Sequence, residues 1–317
     1  MGLISLTEFL LRRSFLSAGL HPLLLPIDSD TTVHSYVSKP LLPANPNPNP
    51  NSKKPVLVLL HGFGPVSFWQ WHSQVRPLSR HFHLVVPDLL FFGRSTSLSP
   101  DRSELFQARS ISRFLDLLLP PGADGAPRPV YVAGTSYGGF VAYHVARLMG
   151  PGRVARAVIA SSNVGMGDED DAAVSERAGV EGVERVMLPS TAAEMRKLVG
   201  LAVCRKPRFI PDFLLRDAVK HLYKDNLEEK KQLIKGISSR NKDEFRLTPL
   251  PQDVLIIWGD HDRIFPLEKA FELQKHLGEK ARLEILKNTG HLPHLEDPES
   301  FNKVLLNFLL ETPKSSG

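Results

Sequence analysis

The stretch Val130–Gly139 restricts the fold of this chain more than any other. Val130-Tyr131-Val132-Ala133 is an apolar, β-branched run that reads as a strand, Gly134-Thr135-Ser136-Tyr137-Gly138-Gly139 breaks it, and Phe140–Ala146 carries apolar residues at helical spacing. Strand, sharp turn and helix in so few residues put Ser136 at the apex, with Gly134 and Gly138 two positions to either side. A turn this tight holds its apex in a strained region of φ/ψ space and leaves no room for neighbouring Cβ atoms. The hydroxyl then stands clear of the sheet edge, and the backbone N–H of Tyr137 points to where an oxyanion would form. A bare G-x-S-x-G is a weak signal; between a strand and a helix it is much stronger.

A serine so placed needs a base and an acid, which in sheets of this kind come later in the chain, each after a further strand. Asp253–Trp258 reads as a buried strand running into Gly259-Asp260-His261-Asp262, and Arg282–Leu286 alternates as a strand leading to Asn288-Thr289-Gly290-His291. Ser136, Asp262 and His291 therefore stand in the required order, with Asp260 a rival acid and His294 a rival base. An earlier strand, Val56–Leu60, ends in His61-Gly62-Phe63-Gly64, a turn whose Phe63 amide is placed to be a second oxyanion donor. His61, Asp88 and Ser95 read as groups that fix loop geometry rather than chemistry.

On these residues the chain resembles the α/β-hydrolase fold family. The likeness rests on HGFG (His61–Gly64), VVPDLLFFGRS (Val85–Ser95), GTSYGG (Gly134–Gly139), WGDHDRIFP (Trp258–Pro266) and GHLPHLEDP (Gly290–Pro298). It spans roughly residues 31–311, with a more variable middle, and its FFG and WGDHD wording is most like a plant group of lipase-like serine hydrolases. The resemblance implies an α/β fold: a mostly parallel sheet of the eight-stranded type, helices on both faces and an inserted all-helical cap. It also implies a catalytic triad of Ser136, His291 and Asp262, oxyanion amides from Phe63 and Tyr137, and no cofactor. It places the acid at the second acidic position after Trp-Gly, which favours Asp262 over Asp260. It does not fix a substrate, because this fold hosts many chemistries. The resulting expectation is hydrolysis of a small lipophilic carboxylic ester, such as an acylglycerol, with a C–C bond hydrolase and a triad-bearing small-molecule receptor as alternatives.

Composition agrees. With 317 residues, 42% of them hydrophobic and 23% charged, the chain can bury a substantial core. The excess of 39 Lys+Arg over 34 Asp+Glu is small, and only Arg205–Arg208 and Lys230–Lys231 cluster, so no nucleic-acid partner is expected. No H-E-x-x-H, C-x-x-C or Walker-type spacing occurs, so neither metal nor cofactor is expected, and His81 and His83 read as exposed strand residues. The single Cys204 suits a reducing, cytoplasmic setting.

Near the N-terminus, Glu8 and Arg12–Arg13 interrupt an apolar run well short of membrane-spanning length, no basic stretch precedes it, and Leu6 stands where a myristoylation signal needs Ser or Thr. A short amphipathic helix over residues 3–16 remains. It either packs on the domain near the pocket mouth or makes a peripheral membrane contact; two arginines give little attraction for lipid, which favours packing.

The expected organisation is a helical extension over residues 1–30, a sheet core over 31–163 and 251–317, and a cap over 164–250. Helices are read at Ser103–Leu119, with Ser103 as N-cap, and at Pro298–Leu310. The Asn-Pro tract Asn45–Asn51 reads as a surface loop. Within the cap, helices are read near Ala192–Val199, Pro211–Leu222 and Leu227–Ile237. Met166, Met187, Met195 and Phe213 are candidates for lining an acyl pocket, with plain packing the simpler role for each. Oligomeric state is not legible.

Overall fold

The computed structural model describes residues 3–43, 54–121, 126–205, 209–237 and 246–311. The Asn-Pro tract lies outside them, as do Lys206–Arg208. Nine strands form one sheet: β1 (Leu20–Pro26), β2 (Thr31–Ser38), β3 (Val56–Leu60), β4 (His83–Pro87), β5 (Thr96–Ser97), β6 (Val130–Thr135), β7 (Val154–Ala160), β8 (Asp253–Gly259) and β9 (Ala281–Leu286). Their spatial order is β1-β2-β4-β3-β6-β7-β8-β9, with the short β5 pairing β2. From β4 to β9 every neighbour is parallel; β1–β2, β2–β4 and β2–β5 are antiparallel. Eight strands thus make the main path, as expected, and β5 is an addition.

Twelve α-helices accompany the sheet among the described residues. Those of the core are α1 (Leu3–Ser17), α2 (Ser67–Leu78), α3 (Glu104–Leu118), α4 (Tyr137–Met149), α10 (Glu268–Leu277), α11 (Pro293–Glu296) and α12 (Pro298–Leu310). Between β7 and β8 the described residues hold only helices: α5 (Asp168–Ala178), α6 (Val183–Met187), α7 (Ala192–Ala202), α8 (Asp212–Leu222) and α9 (Leu227–Lys235). The Ser103 hydroxyl accepts from the Phe106 amide and starts α3, and the Asp297 carboxylate accepts from Ser300 to start α12.

The central strands are largely apolar, β3 at every position, because both faces are covered. Side chains alternate across the pleat. Val56, Val58 and Leu60 join Phe114 of α3, Tyr143 of α4 and Leu273 of α10, whereas Leu57 and Leu59 join Phe68 and Trp71 of α2 and Phe301 and Leu305 of α12. Each such fully buried side chain contributes about 1.5–3 kcal/mol, so the two layers fix the sheet between them. The inserted helices extend the first layer through Val174, Leu201, Leu233 and Ile234.

Two readings need correction. Residues 1–30 are not a purely helical extension: α1 ends at Ser17, Gly19 turns the chain at φ 82°, and Leu20–Pro26 becomes an edge strand on β2. Pro22 and Pro26 argue against a strand from sequence, but an edge tolerates residues that cannot donate to a ladder. His83 is buried, unlike exposed His81, because it begins the interior strand β4.

Candidate active site

Four loops leave the carboxyl ends of the parallel strands β3, β6, β8 and β9 and meet above the sheet, the place where such folds put ligands. Ser136 occupies the turn between β6 and α4 at φ 51°, ψ −122°, a conformation that non-glycine residues avoid. Its N–H donates to Ala160 O at 2.8 Å, and its own carbonyl accepts from Gly139. The flanking glycines are sterically forced. A Cβ on Gly134 would sit 2.0 Å from Gly138 O, and one on Gly138 would sit 2.3 Å from Leu60 O.

His291 and Asp262 converge on this serine. The Ser136 hydroxyl lies 2.9 Å from His291 Nε2, and His291 Nδ1 lies 2.8 Å from Asp262 Oδ2. A carboxylate only accepts, so Nδ1 carries the proton and the Nε2 lone pair faces the serine. The other Asp262 oxygen accepts from the amides of Ile264 and Phe265, both at 2.9 Å, which fixes the carboxylate in place. Asp262 and His291 are buried, sheltered from water that would loosen these contacts.

The rival groups are committed elsewhere. Asp260 is paired with His261 at 2.6 Å on the rim. The ring of His294 is wholly buried against Trp71 and Phe301, and burial, helped by nearby His291, depresses its pKa to about 3. It is neutral and out of the relay. His61 donates from Nδ1 to Gly62 O and accepts from the Leu89 amide at Nε2, and its burial lowers its pKa, so it holds loops together as a neutral ring. Asp88 accepts from Ser67 and pairs with His34, while Ser95 donates to Asp88 O. Burial alone would raise the Asp88 carboxyl, but these partners outweigh it and hold it below its ordinary value.

Phe63 and Tyr137 flank Ser136, their rings meeting edge to face at 5.8 Å. Gln70 of α2 sets the Phe63 turn and was not legible in the sequence. Its Oε1 accepts from the Gly62 amide at 2.8 Å, and its Nε2 donates to Gly62 O and Pro65 O at 3.0 and 2.6 Å. Because Gln70 consumes the Gly62 N–H, Phe63 presents the next amide along the turn. A glutamine eight residues away that bonds only to main chain leaves no motif.

Two cavities open from the serine, both bordered by Phe63, Ser136 and Met187. The larger, about 900 Å³, runs past Trp69, Met195, Leu198, Val199 and Tyr223; the smaller, about 420 Å³, runs past Phe140, Met166, Val174, Ile234 and Phe265, with Asp171 at its wall. Met166, Met187 and Met195 thus line the site, but Phe213 is 63% exposed and lines neither cavity. It sits on the outer face of α8, which the sequence does not distinguish from the inner one. The inserted helices are tied to the catalytic loops. His291 N–H donates to Ala202 O, Arg263 to Gly200 O, and Arg177 to the carbonyls of Arg263 and Ile264. Among the described residues no group of His, Cys, Asp and Glu could hold a metal ion.

The family model described as alpha/beta hydrolase family matches residues 57–304, most of the chain. The chain belongs to the alpha/beta hydrolase family. As an alpha/beta hydrolase it is similar to human monoacylglycerol lipase ABHD6, 26% identical over 263 residues that cover 81% of this chain and 75% of that protein. It is also similar to a 2-hydroxy-6-oxononadienedioate/2-hydroxy-6-oxononatrienedioate hydrolase of Paraburkholderia xenovorans, 27% identical over 263 residues that cover 80% of this chain and 86% of that protein. A crystal structure described as a lipase of Acinetobacter baumannii shares the fold with a TM-score of 0.72 at 23% identity, covering 96% of this chain and 95% of that one. These relatives are mammalian and bacterial, so the likeness to a plant group finds no support in them.

Proposed function

We propose that this alpha/beta hydrolase cleaves carboxylic esters of small lipophilic molecules, acylglycerols among them, with Ser136 as nucleophile, His291 as base and Asp262 as the acid that orients it. The single observation that carries the reading is the 2.9 Å approach of His291 Nε2 to Ser136 Oγ, backed by the 2.8 Å contact of Nδ1 with Asp262. A serine hydroxyl is too weak an acid to attack unaided. His291 takes its proton as Oγ bonds to the ester carbonyl carbon, and Asp262 stabilises the imidazolium that results. The oxyanion is received by the Phe63 and Tyr137 amides, the second at the first turn of α4 where the helix dipole is positive. His291 then returns the proton to the departing alkoxide, leaving an acyl-enzyme. Water, deprotonated by the same imidazole, attacks the acyl carbon and releases the carboxylic acid and free serine.

The insertion α5–α9 acts as the cap. The insertion supplies most of the wall of the smaller cavity and one side of the larger, so it selects the substrate. The likeness to a C–C hydrolase of a dicarboxylate supports a second reading, but the cavity linings argue against it. Among the described residues they include no Arg or Lys to receive carboxylates, and Asp171 would repel one. A fluorophosphonate probe and a panel of p-nitrophenyl esters test the proposal. Labelling of Ser136 and turnover lost in Ser136→Ala are expected. Ligand-induced stabilisation without labelling would indicate a receptor, and cleavage confined to vinylogous diketones would indicate C–C chemistry.

A further inference from the structure

Helix α1 packs on the core through Leu11 and Phe15 and is anchored by two polar side chains beside them. Glu8 accepts from Trp69 Nε1 at 3.3 Å, Arg12 donates to the Tyr36 hydroxyl at 3.0 Å and lies over the Phe68 ring, and Phe15 is fully buried. The opposite arc carries Leu3, Leu6, Phe9, Leu10 and Leu16, exposed by 56, 46, 53, 55 and 47%, with Arg13 among them. A surface helix in water turns its apolar stripe to the core. Single exposed leucines are ordinary, but five large apolar residues along one helix arc are a contiguous patch of the kind that marks an interaction site.

The patch continues onto α8, where the Ile4 amide donates to Asp217. Beside Asp217, one stripe of α8 and the residues after it presents exposed Phe213, Arg216, Lys220 and Lys224. Of the acids in that neighbourhood, Asp212 is paired with Arg196 and Arg216 and Asp217 with His221, while Asp225 stands exposed beside Lys224. An apolar ridge is thus bordered by basic side chains contributed by a different helix. The patch also adjoins the site, because the Trp69 held by Glu8 lines the larger cavity together with Ser136 and His291.

We infer that this face docks on an anionic lipid surface, with α1 lying along the interface and the larger cavity opening beside it. The ridge is a single convex helix carrying flexible leucines, suited to intercalate among acyl chains. Its basic border falls at the level of the headgroups, where anionic lipid attracts Lys and Arg. Among the described residues no helix is long and apolar enough to cross a membrane, so attachment through these residues is peripheral. Delivery of a lipophilic ester from the bilayer to Ser136 rests on the ester-hydrolase reading; the docking itself does not.

The test uses the Ser136→Ala chain, in which docking is separated from turnover. It is sedimented with phosphatidylcholine vesicles, with and without phosphatidylserine. Binding to the anionic vesicles, several-fold weaker to the neutral ones, is expected. Leu6→Asp/Leu10→Asp should lower the bound fraction about ten-fold. In the Ser136 background the same pair should leave p-nitrophenyl butyrate turnover and the melting temperature unchanged, yet depress hydrolysis of a bilayer-embedded acylglycerol. Failure to sediment with either vesicle overturns the inference. So does undiminished sedimentation of the double variant, or sedimentation velocity showing a lipid-free dimer that the variant dissociates. Docking without esterase activity in the Ser136 chain would leave this inference standing and remove the ester reading.

Discussion

Replacing Gln70 tests whether the oxyanion turn is held in place by a side chain that hydrogen-bonds only to main chain. Its carboxamide makes three hydrogen bonds to the main chain of the Gly62–Pro65 turn, and it is 5% exposed. At about 1 kcal/mol net for each bond, Gln70→Leu forfeits about 3 kcal/mol, and the Gly62 amide and two carbonyls left in a dry wall add to that. Part of this is recovered as the turn relaxes, which carries the Phe63 amide away from the oxyanion. Loss of an oxyanion donor costs about 3 kcal/mol of transition-state stabilisation, or about 10²-fold in kcat. A displaced donor should fall short of that, so kcat drops about 10–100-fold while KM moves little.

Gln70→Glu sharpens the test. It is isosteric and keeps the acceptor for Gly62 N–H, but it turns the two donated bonds into carboxylate–carbonyl contacts, so its kcat should fall at least as far. The assay is steady-state hydrolysis of a short p-nitrophenyl ester, with circular dichroism to confirm folding. A folded Gln70→Glu enzyme whose kcat stays within about three-fold of the parent would refute the clamp, since an oxyanion donor is worth far more than that.

Asp262→Asn preserves shape but offers His291 the wrong partner tautomer, and kcat should fall about 10⁴-fold with the Ser136–His291 spacing unchanged in a crystal structure. Gly138→Ala drives a Cβ to within 2.3 Å of Leu60 O, backbone against backbone; a loss of about 3 kcal/mol or more is expected by denaturant titration, with activity abolished. His294 gives a pH signature. Its folded pKa of about 3 lies below the ordinary 6.5, so between these values the unfolded chain binds more protons and stability falls as pH falls from 6.5 toward 3. Gln in its place removes that proton uptake. The melting temperature of His294→Gln should therefore drop less steeply than the parent's between those pH values, and parallel profiles would contradict the assignment.

Much of the fold was readable because its signals are local. The apolar strands β3, β6 and β8 and the Ser103 and Asp297 helix starts each draw on neighbours in sequence. The serine turn was readable for the same reason, since Gly134 and Gly138 are required by atoms within the turn and the adjacent strand. Elements whose evidence lies elsewhere were missed. β1 carries two prolines and exists because β2 offers it an edge, and Gln70 matters through main-chain atoms that a pattern of side chains does not encode. Phe213 was grouped with pocket residues because helical spacing gives a face but not what that face meets.

Residue order alone determined that a serine, an acid and a histidine sit after strands in an order one sheet topology can join, because each depends on a short strand-to-loop signal. Tertiary structure decided which acid reaches the histidine, by engaging Asp260 with His261 and Asp262 with the relay. It also decided that α1 turns four of its five leucines outward beside the basic stripe of α8. Those outcomes depend on distances between segments far apart in the chain, which arise only when the two layers close on the sheet.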